Sequence, residues 1–257
     1  MATTTIYIVR HGETDNNYTH RFIGSTDHPL NARGCAQAAC LREPFSKLHL
    51  DAIYSSPRKR AYMTSEQIRG DRDMPIICDD GLAEIHCGQW EGLNREEIEA
   101  KWPGLIDLWQ FQPDKLEMPD GETFKQVQDR AIESMINIVK KERGNCIAIG
   151  CHMLTIQLIM AKLLNVPISE VWNMVRIENT SISTMKVHDN GDVEIVRWGD
   201  DSHLPEELKT GYVRIAGFVQ KKYNADYDVI KVEGSHNFPP FAVQTNKKGR
   251  KLNDKSS

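Results

Sequence analysis

The sequence predicts an α/β fold, a three-layer α/β/α sandwich around a mostly parallel central sheet with an antiparallel hairpin at its edge. Two observations predict it. Short, β-branched strand patterns alternate with helix patterns along most of the chain, the mark of βαβ units whose parallel strands are covered on both faces. Near residue 190, Asp189-Asn190-Gly191-Asp192 separates two strand patterns, residues 181–187 and 193–198. Asn-Gly between such runs is a strong hairpin signal.

The elements follow in order. Ile6, Tyr7, Ile8 and Val9 read as a buried first strand. Residues 30–34 lead into an Ala-rich helix running to about Phe45. Residues 51–55 form a second strand, after which Ser56-Pro57 opens a helix with proline in its first turn. Residues 75–78 give a third strand. A long helix spans about 122–142, with Phe124, Val127, Ala131, Met135, Ile138 and Val139 on one face. Residues 145–150 are a continuous apolar strand, followed by a helix from His152 to about Leu164. Beyond Trp198 a helix is expected near 205–220, a strand at 227–232, and a disordered basic tail over the last eleven residues, 247–257.

Composition narrows the function. The 257 residues suffice for one large domain or two small ones, and 40% hydrophobic with 26% charged content suits a soluble globular protein. A net charge of -4 argues against broad binding to nucleic acid or anionic membrane. No apolar run reaches the roughly 18 residues that a membrane helix needs. The six cysteines, at 35, 40, 78, 87, 146 and 151, form no Cys-x-x-Cys pair. They read as reduced thiols of a cytoplasmic protein with no zinc site.

Ligands of open parallel sheets bind outside the carboxyl ends of the strands. Arg10 and His11 end the first strand, Arg58 follows the second, and His152 follows the apolar strand of 145–150. Cationic groups from three distant parts of the chain thus converge on one edge, which describes an anion pocket. An unprotonated histidine nitrogen is a nucleophile that accepts a phosphoryl group and passes it to water. Arginine forks match phosphate oxygens in pairs. Within the run Arg58-Lys59-Arg60, position favours Arg58 as the ligand and leaves Lys59 and Arg60 as surface charges.

Arg10-His11-Gly12-Glu13-Thr14, with Asn17 beyond it, resembles the signature of the histidine phosphatase superfamily, the phosphoglycerate mutase-like fold. Further segments match in the same order: Arg21-Phe22-Ile23-Gly24 with the following 27–34, Ser55-Ser56-Pro57-Arg58-Lys59-Arg60-Ala61, the run 82–92, and Pro119-Asp120-Gly121-Glu122-Thr123. The resemblance spans residues 5 to about 204, giving a catalytic domain over 1–204 and an extension over 205–257. It implies a helical lid insertion over roughly 93–120, where Trp102, Trp109 and Phe111 read as helix packing.

Carried across by position, the resemblance makes His11 the phosphohistidine. Arg10, Arg58 and His152 bind the transferring phosphoryl group, while Asn17, Ile23 and the backbone around Gly24 support the substrate. Glu84 is the general acid and then the base for water, with Glu91 and Glu13 as nearby alternatives. Two departures matter. Met153 stands after His152 where the family usually has glycine, which bears on the shape of the pocket. In the glutamate loop, Ile85 and Cys87 occupy the arginine and tyrosine positions of the mutases. That pattern resembles the α-ribazole and broad-specificity phosphatase branch. The expectation is a phosphoric monoester hydrolase needing no metal or cofactor, acting on a small phosphomonoester, with a homodimer left open. The alternatives are a cofactor-dependent phosphoglycerate mutase and a catalytically impaired binding module.

Overall fold

A computed structural model describes residues 2–19, 21–210 and 230–232. Among them, seven strands form one sheet: β1 (Thr3–Arg10), β2 (Ala52–Ser55), β3 (Ile76–Cys78), β4 (Cys146–Cys151), β5 (Ile182–His188), β6 (Val193–Asp200) and β7 (Ile230–Val232). The helices are α1 (Asp15–Thr19), α2 (Ala32–Ala39), α3 (Arg42–Ser46), α4 (Lys59–Arg69), α5 (Arg95–Lys101), α6 (Leu105–Phe111), α7 (Phe124–Lys141) and α8 (Met153–Leu163).

The strand order is β3-β2-β4-β1-β5-β6-β7. The first four are parallel, and β5, β6 and β7 continue the sheet antiparallel. The Asn-Gly hairpin is formed by β5 and β6, with β7 added outside it, within the strand expected at 227–232. The helix expected over 205–220 appears as a 3-10 turn at Glu206–Leu208, and positions 211–220 lie outside the described residues. So does the tail 247–257.

Alternating side chains divide the core as a sheet with helices on both faces requires. Ile6, Ile8, Tyr54, Ile147 and Ile149 point to the face covered by α7 and α8. Val9, Ile53 and Ala148 meet Leu41, Phe45 and Ile68 from α2–α4 on the other. The Ala-rich helix is in fact two. It breaks at Cys40-Leu41 because α3 turns to drive Phe45 under the sheet. Helix α7 starts where Thr123 and Gln126 cap each other reciprocally, a capping box.

The lid helices α5 and α6 are held by an aromatic cluster. Trp109 lies within 5.0–5.2 Å of the Phe22, Phe124 and Trp172 rings, and the Trp172 indole donates to the Trp109 carbonyl at 2.6 Å. Trp109 therefore packs as expected and ties Phe22 of the 21–24 loop to the lid. Phe111 does not pack: it is 61% exposed, at the last residue of α6. Among the described residues, no helix is long and apolar enough to cross a membrane.

Candidate active site

Register places the site. Arg10 of β1 lies beside Cys151 of β4, and Gly150 lies beside Ser55 of β2, so three parallel strands end level. The residues after them, His11, His152 and Ser56 to Arg58, open on the same edge. Two backbone bonds hold that edge together: the His11 amide donates to the Cys151 carbonyl at 3.0 Å, and the Ser56 amide donates to the Gly150 carbonyl at 2.9 Å.

His11 is buried, and its Nδ1 lies 2.6 Å from the Gly12 carbonyl. A carbonyl only accepts, so Nδ1 carries the proton and Nε2 keeps a free lone pair. Burial, then the charges of Arg60 and Arg10, hold this imidazole well below its usual range, against the Gly12 hydrogen bond. The ring is therefore neutral near pH 7. Its backbone is pinned as well. The His11 carbonyl accepts from the buried Asn179 amide at 2.9 Å, and a Cβ on Gly12 would sit 2.5 Å from the Gly34 carbonyl oxygen.

His152 caps the start of α8 in an extended conformation. Its ring centroid is 5.1 Å from that of His11. Nε2 lies 2.8 Å from the Ser56 hydroxyl, and Nδ1 is buried with no hydrogen-bond partner. Burial, then Arg60, His11, Arg130 and Arg58, push its pKa well down. Arg10 donates through Nη1 to the Ile177 carbonyl at 2.6 Å, while its Nε is buried and unpaired. Arg58 caps α4, and its Nε is likewise buried and unpaired. Two orphaned donors and one unpartnered imidazole nitrogen thus belong to residues at one sheet edge. Such groups are costly unless a partner meets them.

Arg60 corrects the sequence reading. It is 1% exposed, not a surface charge. Its two Nη groups donate at 2.8 Å each to the carbonyls of Thr26 and Gly24. Successive helical positions are rotated by about 100°, so Lys59 faces solvent and Arg60 turns inward. It is also the leading charged influence on both histidines.

Glu84 reaches the same corner. Its Oε2 accepts from the Leu154 amide in the first turn of α8 at 3.4 Å, and the Thr155 hydroxyl lies 3.2 Å from Oε1. The loop expected to support the substrate is a tight turn, with the Thr26 amide donating to the Ile23 carbonyl at 2.9 Å. Gly24 has φ +47°, and a Cβ there would meet Glu91 Oε1 at 2.7 Å and the Cys87 amide at 2.8 Å. Glu91 clasps this turn through the Ser25 amide and the Ser25 and Thr26 hydroxyls. Burial works to raise its carboxyl, but those bonds outweigh it and hold it below the usual range. Asn17 accepts from the Thr14 amide at 3.0 Å, so it braces the loop following His11.

Met153 is the first residue of α8 and packs, partly buried, against the main core cluster. Position 153 has ordinary helical backbone, so glycine is not required there. Ser56 and Asn179 were not singled out from sequence; their partners lie far along the chain, and only the matched motif containing Ser56 hinted at either. Glu91, an alternative to Glu84 in the sequence reading, instead clasps the turn at 23–26. Among the described residues, no group of three or more His, Cys, Asp or Glu side chains could hold a metal ion.

The profile of the histidine phosphatase superfamily (branch 1) matches residues 6–201. The chain belongs to that superfamily. Phosphoserine phosphatase 1 of Hydrogenobacter thermophilus is 31% identical to it over 201 residues, 78% of this chain and 94% of the relative. A metal-independent phosphoserine phosphatase of Arabidopsis thaliana is 29% identical over 87% of this chain and 89% of its own. The solved structure of Bacillus stearothermophilus YhfR superposes with a TM-score of 0.75 at 35% identity, over 78% of this chain and 98% of that one. This histidine phosphatase thus shares sequence with relatives named as phosphatases and architecture with a solved structure.

Proposed function

We propose that this histidine phosphatase hydrolyses a small phosphorylated metabolite through a phosphohistidine on His11, without a metal ion. The observation that carries the reading is the free Nε2 of a neutral, buried His11 at a sheet edge that also holds two unpaired donors, Arg10 Nε and Arg58 Nε, and the unpartnered Nδ1 of His152. Nε2 attacks phosphorus as the ester P–O bond breaks, and Glu84 delivers a proton to the leaving alkoxide. Water then attacks the phosphohistidine, Glu84 takes its proton, and inorganic phosphate leaves. Arg10, Arg58 and Arg60 neutralise charge on the equatorial oxygens, where phosphoryl transfer gains most of its catalysis.

Hydrolysis is preferred over mutase chemistry because Ile85 and Cys87 supply no cationic grip for a second acidic group, and both are buried. Two relatives named as phosphoserine phosphatases, one of them as metal-independent, support phosphoserine as the first substrate to try. The reading takes residues 1–204 as the catalytic domain in a cytoplasmic protein. The test is release of phosphate from phosphoserine and an aryl phosphate with a chelator present, comparing wild type with His11→Ala. Loss of about 10³-fold or more is expected, with a label from substrate phosphorus retained only by wild type. Equal rates in the two proteins would end the proposal.

A further inference from the structure

We infer that Ser56 is a positioning residue that fixes which nitrogen of His152 carries the proton, making this imidazole a hydrogen-bond donor toward the phosphoryl group. The inference rests on the reading above for what His152 donates to, but the proton's location follows from the hydrogen bonds alone.

Ser56 is fully buried, and among the described residues its hydroxyl oxygen meets two polar neighbours. One is the Arg58 backbone amide, 3.3 Å away, which can only donate. That bond uses an acceptor lone pair of the hydroxyl and leaves the hydroxyl proton to be spent. The other neighbour is His152 Nε2 at 2.8 Å, so it receives that proton as a hydrogen bond. An imidazole that accepts at Nε2 while neutral carries its own proton on Nδ1. Nδ1 is the buried atom with no partner. The reverse arrangement, Nε2–H donating to Ser56, would leave the buried hydroxyl proton with no acceptor among the described residues. It would also present a lone pair, not a donor, to phosphoryl oxygens that can only accept.

The two histidines then hold opposite poses. In His11 the Gly12 carbonyl takes the Nδ1 proton and bares Nε2 for attack. In His152 the Ser56 hydroxyl occupies Nε2 and frees Nδ1–H. One ring is the nucleophile and the other a donor, 5.1 Å apart. Ser56 makes the difference through its position one residue past β2, where its own amide is bound to Gly150 of β4.

The experiment uses the full chain labelled with ¹⁵N-histidine in phosphate-free buffer at pH 7.5. Long-range proton–nitrogen correlation reads the tautomer, and His152→Gln identifies the resonances. Nδ1–H is expected in the wild type, and a predominant Nε2–H form would overturn the assignment. Ser56→Ala should release the ring to a mixed or Nε2–H population and weaken inhibition by inorganic phosphate about tenfold. Ser56→Thr, which keeps the hydroxyl, should restore both. An unchanged tautomer in Ser56→Ala would also overturn it. If the variants fail to fold, the wild-type spectrum alone decides. Because that spectrum needs no substrate, it remains decisive even if the phosphatase reading fails its own test.

Discussion

The His11 and His152 rings lie 5.1 Å apart, inclined by 59°, and both are neutral because burial and the shared neighbour Arg60 oppose protonation. In the unfolded chain each regains an ordinary pKa near 6.5, so below that pH the unfolded state binds protons that the folded state refuses. The corresponding stability is present in full above pH 6.5 and drains away as pH falls below it. His203, also lowered by burial, acts in the same direction. Each histidine contributes a slope of up to about 1.4 kcal/mol per pH unit. Urea unfolding at pH 7.5 and 5.5 should show lower stability at the acid value, with the drop reduced in His152→Gln. A curve flat over that interval would contradict the neutral pair.

Arg60 and Lys59 are adjacent in sequence and opposite in consequence. Arg60→Met strips the Thr26 and Gly24 carbonyls of their donor and removes the charge that acts most strongly on the two histidines. The expected cost is about 2–4 kcal/mol of stability, with activity reduced by about 10²-fold or more. Lys59→Ala, at an exposed position, should change stability by no more than about 0.5 kcal/mol. Thermal unfolding and steady-state rates on the two variants check this together, and equal effects would refute the inward assignment of Arg60.

Gly24→Ala asks whether the turn at 23–26 is a fixed part of the site. The added methyl would press on Glu91 and on the Cys87 amide at a backbone φ of +47°. A loss of about 1–3 kcal/mol is expected. Displacement of the Gly24 carbonyl should also raise KM more than it lowers kcat. Unaltered kinetics would remove this turn from the substrate's surroundings.

Met153→Gly restores the residue that the family resemblance leads one to expect. Here it should harm the protein, because position 153 is helical and its side chain packs on the core. Helix propensity costs about 1 kcal/mol and lost packing adds about 1 kcal/mol more. A lower melting temperature with kcat within a few-fold of wild type is the expected outcome. A large gain in kcat would mean that the methionine obstructs the pocket.

What was legible from sequence were features with local causes. The short β-branched strands, the Asn-Gly hairpin and the amphipathic helix at about 122–142 each carry their signal within a few residues or turns. The placement of His11 and His152 followed from strand ends alone. Arg60 was misread because a run of three cations has the same local appearance whether it is solvated or turned inward. Its carbonyl partners are 34 and 36 residues away. Ser56 and Asn179 were missed for the same reason, at separations of 96 and 168 residues. The break at Cys40-Leu41 escaped because alanine-rich sequence continues a helix pattern until a distant sheet demands Phe45.

The stitching around His11 has a consequence in time. Asn179 holds the His11 carbonyl, and Gln37 accepts from the Glu13 amide while donating to the Leu208 carbonyl. The Thr210 hydroxyl in turn donates to Asn179. During synthesis His11 is made some 170 residues before the groups that immobilise its surroundings. Contacts of such long sequence separation close late in folding. A nascent or partly folded chain therefore carries His11 unfastened, and the ordered arrangement around it arrives as one of the last events of assembly.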